Sequence, residues 1–281
     1  MPNFLSLTNQ NMEQVESLPF LNGTAFYFSS PSNEPNRKNQ DSIGIFELSE
    51  HSGVLVVADG IGGSRAGDQA SRLIIETFEK ELKNIEPRSL LLEGHSMVLK
   101  CNDAIRSLGC GAGSTVSALF INDDQGLFIK AGDSLARQYS ATGTLKVDLF
   151  NFSVGGMATS IGITENQLPP KLKKESNHLL NFLGSETPSM LLEGPFSINP
   201  KDCFFLCTDG INENINESTL EKIVVDLNPK NKKIELIEKV RKTMNSDKGV
   251  QDDHSFIMLD LKIVKDGLAT EAVETLKKAE K

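Results

Sequence analysis

VLVVADGIGG, residues 54–63, joins an apolar run to a carboxylate and a glycine-rich turn. The run 54–58 is too short for an ordinary helix and rich in valine, which predicts a buried strand. It ends on Asp59, and a charge at the end of a buried strand is costly unless something pairs with it. Gly60, Gly62 and Gly63 let the chain turn sharply and approach a ligand closely. The same grammar returns at 204–211, where FFLCT leads into Asp209, Gly210 and Ile211. Two apolar strands that each end in Asp-Gly-Ile suggest two carboxylates delivered to one place, and hence a divalent-metal site.

Outward from 54–63, GTAFYFS (23–29) and SIGIF (42–46) have strand composition, and the polar, turn-forming 30–40 connects them. Leu73, Ile74, Phe78, Leu82 and Ile85 recur at helical spacing and predict a helix over 67–85, stopped by Pro87. A second helix is expected over 88–108, with Leu91, Val98, Cys101, Ile105 and Leu108 on its apolar side, paired with the first on one face of a sheet. The short apolar runs 115–121, 126–131 and 136–140, separated by turn signals, predict antiparallel pairing. Residues 141–190 are less regular and read as an insertion. After the strand at 203–208, Ile234, Ile237, Val240 and Met244, widened by Leu236, predict a helix over 229–244, and 255–263 is a last strand. Residues 1–22 read as a tail or docked arm. Residues 264–281, rich in Ala, Glu and Lys, read as a C-terminal tail with a short exposed helix.

The 281-residue chain is 38% hydrophobic and 24% charged, enough for a core, and carries a net charge of −9. That charge argues against general nucleic-acid binding and against anionic membranes. A chain of this charge needs metals or a local Arg to bind phosphate. No run approaches a membrane span, and the N-terminus lacks a signal-peptide pattern, so a cytoplasmic protein is expected. Cys101, Cys110, Cys203 and Cys207 form no CxxC pair and read as buried free thiols, with a disulfide or zinc site as the alternative.

Aspartates recur at strand ends and turns: Asp41, Asp59, Asp133, Asp209, Asp252 and Asp253. Clustered carboxylates raise one another's pKa, and a divalent cation removes that penalty. Oxygen ligands without a Cys or His set suit Mg²⁺ or Mn²⁺ rather than Zn²⁺. The alternative for any single Asp is a turn cap.

The ordered series NQDS (39–42), VVADGIGG (56–63), GST (113–115), AGDS (131–134), CTDGI (207–211) and DDHS (252–255) resembles the protein phosphatase 2C family, the metal-dependent serine/threonine phosphatases, in its bacterial branch. The resemblance covers residues 23–263. It implies an α+β fold, an α-β-β-α sandwich of two antiparallel sheets flanked by helix pairs, with residues 141–190 as a flap. It implies a centre of two Mn²⁺ or Mg²⁺ ions. Asp59 would bridge them, the Gly60 carbonyl would bind one, and Asp209 and Asp252 would hold the other. Asp41 would act through metal-bound water, and Asp133 with Asp209 would hold a third, weaker ion. Catalysis would then run through metal-activated water held by Asp59, Asp209 and Asp252, with a metal-bridging hydroxide attacking phosphorus. Phosphoserine and phosphothreonine proteins would be the partners, among them substrates of a cognate kinase, and the chain would act as a monomer.

Several positions depart from the family pattern. Its phosphate-binding Arg falls where this chain has Asn36, one residue from Arg37, which is the phosphate-binding candidate here. A solvated loop Arg is the alternative. Ile61 stands where many eukaryotic members carry His, and Leu135 where an Arg is frequent. His254 reads as a strand-edge residue, and KLKK (171–174) as a solvated charge run. The competing function is a catalytically weak regulatory protein that binds a phosphoprotein. A Gly-rich nucleotide module is disfavoured because neither GxGxxG nor a P-loop Lys is present.

Overall fold

In the computed structural model, which describes residues 2–34, 37–61, 66–225, 229–247 and 249–262, Val54, Val56 and Ala58 pack towards helices while Leu55 and Val57 pack towards a second sheet. A strand covered on both faces has no polar side to alternate with. That is why 54–58 is unbroken in its apolar character.

In chain order the elements are β1 (Asn3–Thr8), β2 (Glu16–Phe20), β3 (Gly23–Ser30), β4 (Asp41–Ser49), β5 (Ser52–Asp59), α1 (Gly67–Leu82), α2 (Leu90–Arg106), β6 (Val116–Asn122), β7 (Gln125–Ala131), β8 (Leu135–Tyr139), β9 (Leu145–Asp148), α3 (Val154–Ser160), α4 (Pro170–Lys174), β10 (Leu191–Ser197), β11 (Cys203–Cys207), α5 (Asp209–Asn212), α6 (Glu217–Val225), α7 (Pro229–Met244) and β12 (His254–Leu261). Two six-stranded sheets form, in the orders β1-β4-β5-β6-β7-β10 and β2-β3-β12-β11-β8-β9. Every ladder is antiparallel. One apolar layer lies between the first sheet and the pair α1–α2, around Ile74, Phe78, Val98 and Cys101. A second lies between the sheets, around Ile43, Leu119, Phe128, Phe204 and Ile257. A third lies between the second sheet and α6–α7, around Phe205, Phe256, Leu220 and Val240. The expected α-β-β-α sandwich is the observed architecture.

The differences fall at edges. Residues 3–8 and 16–20, read as tail or arm, are outer strands of the two sheets. Their exposed faces are polar and Pro19 interrupts the second, so neither carries a clean strand signal. Strand β10, mostly exposed, and helix α6 escaped the sequence reading. Ile234, placed on the apolar stripe of α7, is exposed, whereas Leu236, Ile237, Val240 and Met244 are buried. None of the four cysteines forms a disulfide; Cys101, Cys203 and Cys207 are buried as expected, whereas Cys110 is exposed. Within 141–190 lie β9, α3 and α4. The C-terminal tail 264–281 and the turn at Gly62 and Gly63 lie outside the described residues. Among the described residues no helix is long and apolar enough to cross a membrane.

Candidate metal centre and flanking cleft

The sheet registers bring the sequence-selected aspartates to one end of the sandwich. Asp41 opens β4 and Asp59 closes β5, and the two are direct partners across that hairpin. Asp133 sits in the turn between β7 and β8, Asp209 follows β11, and Asp252 precedes β12. The ends of β11 and β12 are fastened by the Thr208 N–H to the Ser255 carbonyl (3.0 Å) and the Ser255 N–H to Thr208 Oγ1 (2.9 Å).

Asp41 is buried, and its Oδ2 accepts from Thr208 Oγ1 at 2.9 Å. Among the described residues its Oδ1 is buried with no partner, as are Oδ1 of Asp133 and Oδ1 of Asp209. Burial holds Asp41, Asp59 and Asp209 well above the usual carboxylate range. Neighbouring carboxylates add to it: Asp253 and Asp252 on Asp41, Asp209 and Asp41 on Asp59, and Asp133 and Asp252 on Asp209. Burial also raises Asp133 to about 6, against opposition from Lys130. Among the described residues no three acidic, His or Cys side chains form a ready-made ligand group. The carboxylates converge with orphaned oxygens, and Arg37 and Lys130 offset only part of their charge; a hard divalent cation is the group such a donor set suits.

The Gly60 backbone is tightly set. Its N–H donates to the Gln40 carbonyl at 3.1 Å, and a Cβ there would fall 2.2 Å from the Gly67 carbonyl oxygen. Asp59 is held through its own peptide: its carbonyl accepts from the Thr115 N–H (2.8 Å) and the Ser114 hydroxyl (2.8 Å). GST at 113–115 therefore supports the turn from the next strand. Ile61 packs near Gly113 and Phe182.

Arg37 reaches the same end. Its Nη2 donates to Asp252 Oδ1 at 2.6 Å, and Nε lies 3.4 Å from Asp253 Oδ1. Burial raises the Asp252 carboxyl while Arg37 pulls it back.

Asp253, which the sequence reading names without a role, and Glu213, which it does not select, lie at the same end. Asp253 is buried and accepts from the Ser32 N–H (2.9 Å) and the Gln40 N–H (2.7 Å), so it fixes the loop that carries Arg37. Glu213, half-buried, is pushed up to about 7 by burial, then by Asp133 and Asp252. It lies four residues after Asp209, one helical turn on, and that spacing is the signal that reveals it. Both Glu213 and Asp209 line a cleft of about 590 Å³ with Asp133, Arg137, Asn151 and Ser153. His254 is buried with neither ring nitrogen hydrogen-bonded among the described residues, and burial lowers it to about 4.

A family model described as protein phosphatase 2C matches residues 33–248. The serine/threonine phosphatase stp of Listeria monocytogenes serovar 1/2a is 25% identical over 205 residues, covering 66% of this chain and 77% of that protein. Among solved structures, the Mycobacterium tuberculosis serine/threonine phosphatase PstP/Ppp matches with a TM-score of 0.67 at 21% identity, over 85% of this chain and 98% of that one. Stp1 from Staphylococcus aureus matches with a TM-score of 0.70 at 17% identity, over 85% of this chain and 95% of its own. The catalytic domain of PstP in complex with 2 manganese ions gives a TM-score of 0.66 at 20% identity, over 85% and 98% of the two chains. At these identities the structural matches speak to the fold.

Proposed function

The chain belongs to the protein phosphatase 2C family, and from that premise we propose that it is a metal-dependent protein serine/threonine phosphatase. The observation that carries the proposal is the convergence of Asp41, Asp59, Asp133, Asp209 and Asp252, raised by burial and by one another, three of them with an orphaned oxygen.

In this reading Asp59, Asp209 and Asp252, with the Gly60 carbonyl, hold two Mn²⁺ or Mg²⁺ ions. Asp133, Asp209 and Glu213 hold a third, more weakly. Bound there, the ions supply an activated water and charge compensation for the phosphoryl oxygens. The protein's own groups do the rest. Thr208 orients Asp41 through its hydroxyl. Asp253 fixes the 30–40 loop, and Arg37 exchanges Asp252 for the substrate phosphoryl group, which its planar fork matches. Phosphoserine and phosphothreonine proteins are the substrate class.

The test is hydrolysis of p-nitrophenyl phosphate by the full chain with Mn²⁺, with EDTA and with Asp209→Ala. Activity in Mn²⁺ that is lost in both other arms is expected. Activity indifferent to chelation would overturn the metal-dependent reading.

A further inference from the structure

Lys130 is fully buried on β7, three residues before Asp133. An ammonium in such a place is costly unless it is hydrogen-bonded. Here it donates to the Leu149 carbonyl at 3.2 Å and to Asn151 Oδ1 at 2.6 Å. Burial brings its pKa down to about 8, with Asp133 and Asp148 opposing, so it stays mostly charged at neutral pH. The segment 149–152 is held a second time, because the Phe152 N–H donates to the Gly132 carbonyl at 3.1 Å in the turn that carries Asp133.

Asn151 lines the same cleft as Asp133 and Asp209. An ammonium offers only donors, so it settles which end of the Asn151 amide faces it. Oδ1 accepts from Lys130, and Nδ2, which makes no hydrogen bond among the described residues, remains able to donate at the cleft wall that Asn151 helps to form. Helix α3 packs closely on Asn151 through Gly156, where a Cβ would fall 2.3 Å from the Asn151 carbonyl oxygen and 2.8 Å from the Asn151 Cβ. An uncharged N–H beside a phosphate-handling centre matches a main-chain carbonyl of a peptide.

We propose that Asn151 is a substrate-binding residue, donating Nδ2–H to a main-chain carbonyl next to the phosphorylated residue. Lys130 is the positioning residue that holds its amide in that orientation. The proposal rests on the phosphatase reading of the same site.

The test compares the full chain, Asn151→Asp, Lys130→Met and the double variant, with Mn²⁺, on a phosphothreonine peptide and on p-nitrophenyl phosphate. Asn151→Asp keeps an acceptor for Lys130 and loses the donor. It is expected to raise the peptide KM, relative to that for the aryl phosphate, about tenfold, or about 1.4 kcal/mol, while peptide kcat changes less than about twofold. Lys130→Met is expected to give part of that rise and to add nothing in the Asn151→Asp background. An unchanged KM ratio in Asn151→Asp overturns the proposal, as does a Lys130→Met effect that adds in full. If Lys130→Met does not fold, the Asn151→Asp ratio alone decides. A wild-type chain inactive on both substrates would instead sink the phosphatase reading, and this proposal with it.

Discussion

Asp41 and Asp59 face each other as register partners across the β4–β5 hairpin. Like charges directly opposite one another destabilise an antiparallel pair, and burial increases the penalty. The metal-free fold therefore carries this strain as an electrostatic cost. Asp59→Asn removes one of the two charges. We expect it to raise the melting temperature of the EDTA-treated protein by roughly 2–4 °C for each kcal/mol of repulsion relieved. The same variant should lose phosphatase activity by more than about 100-fold, beyond the range seen when only an outer-shell partner of a metal is changed. Calorimetry and steady-state kinetics on one preparation check both halves. A variant that is less stable without metal would contradict the repulsion argument.

The dependence of stability on pH follows from the same cluster. The folded Asp133 titrates at about 6 against an ordinary 3.8, and Glu213 at about 7 against 4.5. Between each pair of values the folded chain keeps a proton that the unfolded chain has released, so stability falls as pH rises through those windows. Asp41, Asp59 and Asp209, also raised, act in the same direction. His254, lowered from 6.5 to about 4, acts in the opposite direction, because the unfolded chain binds the extra proton there. The carboxylates outnumber it. Melting temperatures in EDTA should therefore fall between about pH 5 and about pH 7, and saturating Mn²⁺ should reverse the slope, because metal binding needs deprotonated ligands. Melting temperatures in EDTA that climb over that range would contradict this balance.

Which parts of this were legible in the sequence follows from what each residue touches. β5 and β11 announce themselves because both faces are covered, so the runs 54–58 and 203–207 are apolar throughout. The edge strands β1 and β2 do not, since one side meets solvent and Pro19 is tolerated only there. Of the adjacent pair Asp252 and Asp253, the sequence cannot say which turns inward. Side chains alternate on entering a strand, and here Asp253 is buried among backbone donors while Asp252 stays partly exposed beside Arg37. Six motifs carried the site because each is a short contiguous segment at the start or end of a strand. Asn151 and Lys130 form a pair that only the packing of 149–152 onto β7 creates.

Glu213 supplies a separate prediction. Its raised pKa and its place in the cleft with Asp133 and Asp209 suit a ligand for the weaker ion. Glu213→Gln is expected to raise the Mn²⁺ concentration giving half-maximal activity by roughly 10-fold, within the 10–100-fold range typical of residues supporting a metal. Maximal activity should return at high Mn²⁺. A metal titration curve that superposes on the wild type would remove Glu213 from the site.

Arg37 makes the sharpest prediction, because its two roles pull apart. Its guanidinium sits on Asp252 at 2.6 Å, where it competes with any cation for that carboxylate. The pair is partly exposed, so the ion pair itself contributes little to stability. Arg37→Ala should therefore leave the melting temperature nearly unchanged and leave Mn²⁺ affinity equal or tighter, measured by titration calorimetry. It also removes a charge-assisted donor to the phosphoryl group, worth about 1.5–3 kcal/mol, so KM for p-nitrophenyl phosphate should rise roughly 10- to 100-fold. Arg37→Lys keeps the charge without the fork and should recover only part of that loss. A KM that stays at the wild-type value in Arg37→Ala would mean that the guanidinium serves Asp252 and Asp253 alone, and the phosphate would have to be bound without it.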